Sequence, residues 1–267
     1  MTRGRRALKA AARFADRLRV HRPGVVVLLY HRVGADTGSE VDLPPALFDD
    51  QLAAIAASGR ACTLAEALDR LGGDGPADGV VVTFDDGTAD FVDRVVPALD
   101  RHGVPATLYL ATGFVGAGTE PVSGGRALSW SALADACSSG LVDVGSHTHG
   151  HLLLDRATPV EAATDLDRSV ALIGEHLGRV ALDFAYPKAI APSAANGALV
   201  RERFRSAALA GTRANVAGRT DPYRLCRSPV QVSDGMGYFA AKVAGGMALE
   251  DDLRRVLNRV RYAGART

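Results

Sequence analysis

A chain of 267 residues with 31 Lys and Arg against 30 Asp and Glu has a formal charge of +1, which excludes a basic nucleic-acid coat and an acidic tail. Its composition is that of a globular protein, and the length suits one large α/β domain. The three cysteines, Cys62, Cys137 and Cys226, lie far apart with an odd one left over, which fits a reducing compartment and predicts a cytoplasmic protein.

The first element is a basic segment, residues 1–22, in which Arg3, Arg5, Arg6, Lys9, Arg13, Arg17, Arg19 and Arg22 face a single acid, Asp16. Leu8, Ala11, Ala12, Ala15 and Leu18 recur at helical spacing. A helix there is expected to be solvated, docked on the domain, or in peripheral contact with an anionic membrane. Arg5 and Arg6 are not followed by the apolar stretch that a twin-arginine export signal needs.

From residue 23 the pattern alternates. β-branched and apolar runs at Val25–Tyr30, Val80–Phe84, Ala106–Leu110 and Val142–Ser146 predict strands, each followed by a helical pattern, an order that argues for parallel strands with crossover helices. Thr88 to His102 reads as a helix with Phe91, Val95 and Leu99 inward, a kink at Pro97 and an end at Gly103. Ser129 caps a helix running to about Ser139, and Trp130 at its start reads as a packing residue. Thr158-Pro159-Val160-Glu161 supplies an N-cap, a proline at the first helical position and a capping-box glutamate. Leu166, Val170, Ile173 and Leu177 give that helix its stripe, and Gly178 ends it. The expected organisation is one domain over 23–240 with a helical tail over 241–267.

Two constellations carry chemistry. Thr83-Phe84-Asp85-Asp86-Gly87 ends an apolar strand in adjacent carboxylates, which suggests a metal or acid/base site; an Asp-Asp-Gly turn closing the strand is the plainer reading. Ser146-His147-Thr148-His149-Gly150-His151 follows another strand, and His147 and His151, four apart, can present both rings on one side, with His149 pointing away. A polar turn without metal is the alternative. Together the two supply two imidazoles and one carboxylate with open positions, a catalytic rather than a structural metal arrangement.

These motifs resemble those of the polysaccharide deacetylases, carbohydrate esterase family four, with the homology domain of the nodulation-factor deacetylases. The resemblance runs from about Val25 to Val232 and includes Tyr30-His31-Arg32-Val33, which opens one branch of that family, and Gly103-Val104-Pro105-Ala106-Thr107. It implies a single-domain, distorted (β/α) barrel of about seven parallel strands with the site at their C-terminal ends. It implies Asp85 as catalytic base and Asp86, His147 and His151 as ligands of one divalent ion, zinc by preference, with cobalt, nickel or manganese as substitutes. The family's third motif, Arg-x-Pro-x-Gly, is represented by Phe184-Ala185-Tyr186-Pro187-Lys188-Ala189, which lacks the arginine and the glycine. Pro187 anchors it, and the backbone N–H of Lys188 is the expected oxyanion donor. Arg227 is the candidate to replace the arginine that orients the base, and Tyr186 is a second orienting or substrate-contacting candidate. The usual late Leu-x-His motif is missing, so His31 is expected to be the general acid.

The resemblance thus implies removal of N-acetyl groups from an amino sugar in a glycan or a lipid-linked precursor. The departures keep open a catalytically silent sugar-binding protein on the same fold, and the chemistry alone admits a metallohydrolase of another amide, such as a cyclic one.

Overall fold

A computed structural model describes residues 23–75, 77–116 and 125–248. The basic segment 1–22 and residues 249–267 of the expected tail lie outside the described residues. Seven strands form a closed barrel: β1 (Val25–Tyr30), β2 (Gly79–Asp86), β3 (Ala106–Leu110), β4 (Val142–Ser146), β5 (Asp183–Ala185), β6 (Ser206–Ala210) and β7 (Leu225–Pro229). Every strand runs parallel to its sequence neighbour, and β7 closes on β1 through the pairs Val27 with Arg227, Leu28 with Ser228 and Leu29 with Pro229. All seven C-terminal ends therefore open on one mouth, where the loops of such barrels carry function. A short parallel pair, Arg32–Val33 with Asp42–Leu43, extends the chain beyond β1.

Alternation along the strands sorts side chains into two cores. Val26, Leu28 and Tyr30 of β1, Val80, Val82 and Phe84 of β2, and Phe184 of β5 pack outward against the helices. Val25, Val27, Val81, Tyr109, Ala185, Ala208 and Leu225 pack together in the lumen. Period-two alternation in fully buried strands produces both layers from one sequence run.

The helices are α1 (Pro45–Ala57), α2 (Leu64–Gly72), α3 (Val96–His102), α4 (Trp130–Ser138), α5 (Pro159–Leu177), α6 (Ala194–Arg203) and α7 (Gly235–Val243). The start and stop signals read for α5 act as expected: Thr158 and Glu161 form the capping box, and Gly178 ends the helix at φ 62°. Ser129 caps α4 by accepting the Ala132 N–H. The expected helix over Thr88 to His102 is corrected in one respect. A π turn, Phe91–Val95, precedes α3, with the Val96 N–H bonded to the Phe91 carbonyl. The wider turn clears the carbonyl that the Pro97 ring would strike in an unbroken α-helix. Strands β5, β6 and β7 were not among the expected runs. They are short, and their lumen-facing positions Asp183, Ser206 and Arg227 interrupt any apolar pattern.

No helix among the described residues is long and apolar enough to cross a membrane. Inside the lumen, Gly145 on β4 leaves room for the Tyr109 ring. A Cβ there would lie 2.6 Å from the Asp183 carbonyl oxygen and 2.7 Å from Tyr109 Cδ1. Gly145→Ala should therefore destabilise the fold by about 1–3 kcal/mol through overpacking. Urea unfolding tests this, and an unchanged midpoint would mean that the lumen has slack at β4.

Candidate active site

Strand β2 delivers two consecutive carboxylates to the mouth, although neighbours on a strand ordinarily face opposite ways. The backbone resolves this by leaving the extended region: Asp86 has φ 75° and Gly87 φ 95°. A side chain at Gly87 would also meet Leu110 Cδ1 at 2.3 Å, so the motif's glycine serves both conformation and space. Asp85 and Asp86 are both buried.

His147 follows β4 directly, and its Nδ1 donates to the Ala185 carbonyl on β5 at 2.7 Å. A carbonyl can only accept, so this bond fixes the tautomer and leaves Nε2 with a lone pair directed at the carboxylates. That Nε2 lies 3.8 Å from Asp86 Oδ1 and 3.9 Å from Asp85 Oδ2, and His151 Nε2 lies 3.6 Å from Asp86 Oδ1. One ligand atom each of Asp86, His147 and His151 falls within 4.8 Å of the others. Ligands of a tetrahedral zinc at about 2.0–2.2 Å are roughly 3.3–3.6 Å apart, so the donor set fits a small divalent cation. Burial, helped by the neighbouring His147 and opposed by Asp86, holds the His151 imidazolium down at about 4. The ring is neutral at pH 7, as a ligand must be.

Arg227 binds Asp85 with both arms: Nη1 donates to Oδ1 at 2.5 Å and Nη2 to Oδ2 at 2.9 Å. The guanidinium is wholly buried in the lumen, also donates to Thr83 Oγ1 at 3.3 Å, and lies 5.0 Å from the centre of the Tyr109 ring. Burial works to raise the Asp85 pKa, but Arg227, then His147 and His31, outweigh it and hold the carboxyl at about 2. Asp85 is thus a charged, rigidly oriented carboxylate.

His31 stands at the end of β1, close enough to Asp85 to act on its charge, and its buried Nδ1 has no hydrogen-bond partner among the described residues. Lys188 lies in the turn Pro187–Ala189 with φ 52°, near enough to His151 to help keep that ring neutral. Its side chain is exposed at the mouth. Tyr186 goes elsewhere: its ring packs edge-on to Phe184 in the outer core, 5.1 Å between centroids, and its hydroxyl faces Arg201, Arg224 and Asp221. Burial pushes that hydroxyl up to about 12. The His149 ring turns to Thr112, with Nδ1 3.0 Å from Oγ1. Trp130 stacks on His176 at 4.4 Å, apart from the site. The structure adds Thr83, the Ala185 carbonyl and Tyr109 to the residues read from sequence. A signal for Thr83 was present: it is the polar residue two before Asp85, hence on the same face of β2.

The polysaccharide deacetylase family model matches residues 72–202. That span holds Asp85, Asp86, His147, His151 and Lys188, and leaves out His31 and Arg227. The fold is similar to that of IcaB from Ammonifex degensii, with 27% identity and a TM-score of 0.72 over 84% of this chain and 98% of that one. It is also similar to a polysaccharide deacetylase from Bacillus cereus, with 22% identity and a TM-score of 0.70 over 82% of this chain and 69% of that one. A Streptococcus pyogenes deacetylase, PplD, in complex with acetate gives 20% identity and a TM-score of 0.69 over 86% of this chain and 97% of that one. No curated protein sequence matches the chain.

The Arg227 pair has a pH signature. Asp85 titrates at about 2 in the fold against about 3.9 unfolded, so the pair's stabilisation is complete above the unfolded value and is lost as pH falls through about 2. In metal-free protein, Arg227→Met should cost about 3–5 kcal/mol at neutral pH by stranding a buried carboxylate. The gap to wild type should narrow as pH drops from about 5 toward 2, because protonating Asp85 removes the stranded charge. Denaturant unfolding at several pH values checks both, and a pH-independent gap would show that Arg227 acts by packing alone.

Proposed function

We propose, on the footing that this chain belongs to the polysaccharide deacetylase family, that it is a metal-dependent hydrolase removing N-acetyl groups from an amino sugar in a glycan or glycan precursor. The observation that carries this reading is the meeting of an arginine-held Asp85 with the ligand set Asp86, His147 and His151 at one barrel mouth.

A zinc or similar divalent ion held by Asp86, His147 and His151 would polarise the acetyl carbonyl and acidify the attacking water. Asp85 is the group that such an ion would assist. A carboxylate held at about 2 is a weak base and takes a proton only from a strongly acidified donor. Arg227 occupies one lone pair on each Asp85 oxygen, fixes the carboxylate plane and leaves the remaining lone pairs to receive the water's proton. The Lys188 N–H, in the left-handed turn after Pro187, serves the developing oxyanion, a role that survives loss of the third motif's side chains because it uses only backbone. The His31 imidazole donates its proton to the departing amine, and acetate and a free amino sugar result.

Acetate release from N-acetylglucosamine oligomers tests the reading. Activity should vanish with a chelator and return with zinc. Asp85→Asn should keep zinc while losing about 10²- to 10⁴-fold in kcat. Undiminished turnover in metal-free protein would sink the metal assignment, and an active Asp85→Asn enzyme the base assignment.

His31→Ala should hurt N-acetyl sugars far more than an activated acetyl ester, whose leaving group departs without a proton. Comparing kcat/KM on both substrates, beside a melting curve, decides this. Equal losses on ester and amide would remove His31 from the mechanism.

A further inference from the structure

We propose that Asp165 and Ser169, one turn apart on α5, are positioning residues for the ligand loop 147–151, and that Asp165 sets the site's affinity for its divalent ion. The inference rests on the reading of Asp86, His147 and His151 as the metal ligands.

The loop needs an outside hold. Thr148 has φ 68° and His151 φ 55°, left-handed conformations that residues with side chains keep only where the surroundings over-determine them. Asp165 provides such a surrounding: Oδ1 accepts the His149 N–H at 2.6 Å and Oδ2 accepts the Gly150 N–H at 2.9 Å. One carboxylate thus takes two consecutive amides, the pairing expected of an anion in a concave backbone turn. One turn along the helix, the Ser169 hydroxyl lies 2.8 Å from Ser146 Oγ, which accepts the Thr148 N–H at 3.2 Å. Ser169 is wholly buried among Ala162, Leu166 and Ile173, a polar residue in an apolar stripe. Helix α5 thereby grips the chain on both sides of Thr148. From the opposite side, the Gly113 N–H donates to the His149 carbonyl at 2.8 Å. Asp165 bonds neither ligand side chain. It acts through the backbone by fixing the direction in which the loop reaches His151, whose Nε2 then arrives 3.6 Å from Asp86.

The test uses the full chain with Asp165→Ala and Asp165→Asn, reading the zinc Kd by competition with a chromophoric chelator and the absorption spectrum of the cobalt(II)-loaded protein. Asp165→Ala should weaken zinc binding by about 10- to 100-fold, the scale for partners that orient ligands, and alter the cobalt spectrum. Asp165→Asn, which keeps one acceptor oxygen, should lose less. A merely structural Asp165 would lower the melting temperature of the zinc-free protein while leaving the Kd and the cobalt spectrum as in wild type, and that result overturns the proposal. Should Asp165→Ala fail to fold, the same two readouts on Asp165→Asn decide it. Wild-type protein that binds no zinc would overturn the functional reading itself, whereas tight wild-type binding matched by both variants overturns this inference alone.

Discussion

The bidentate pair between Arg227 and Asp85 is the interaction on which the site depends. Asp85 sits on β2 and Arg227 on β7, the two strands flanking β1, so the pair forms only when the barrel closes. Both groups are buried, where an unmatched charge costs several kcal/mol. Closure and the charge state of Asp85 are therefore one event. The proposed ligand set uses the same geometry, since His147 on β4 is aimed by a carbonyl of β5, and neither strand alone could orient the ring.

Around this pair the mouth holds backbone that extended strands do not supply. Asp86, Thr148, His151 and Lys188 all have positive φ, conformations costing about 1–3 kcal/mol each for residues with side chains. At Asp86 the unusual backbone brings a second carboxylate to the side already occupied by the first. At His151 it turns a ring back toward Asp86 over a loop of four residues. Strain of this kind clusters where groups must converge more closely than regular structure allows, and here it falls on residues that chemistry singles out.

What the sequence made legible was local. The Asp85-Asp86-Gly87 and His147-to-His151 clusters are short-range patterns, as are the cap of α5 and the apolar runs of β1 through β4, and each could be read without knowing what lay across the barrel. What escaped depended on pairing. β5 to β7 carry few large apolar residues inward, because that part of the lumen also holds Asp183, Ser206 and the buried guanidinium of Arg227 beside Tyr109. Tyr186 shows the cost of a missing strand. With β5 placed, Asp183 and Ala185 point inward and Phe184 and Tyr186 outward, which directs Tyr186 to the outer core and away from the mouth. Arg227 could be named from its motif, but only closure shows that it faces Asp85, and no local pattern identifies the Ala185 carbonyl as the group that sets a histidine tautomer.

Closure by the last strand also has a timetable. Arg227 lies 142 residues after Asp85, an interval that a ribosome takes on the order of 10–30 s to cross. Until β7 is made, the β1 edge that will pair with it has its backbone N–H and C=O groups unmatched, an edge of the kind that recruits other strands. Any β1 formed in that interval would be open to pairing with other chains, and adding residues 225–229 removes the hazard in the same step that brings Arg227 to Asp85.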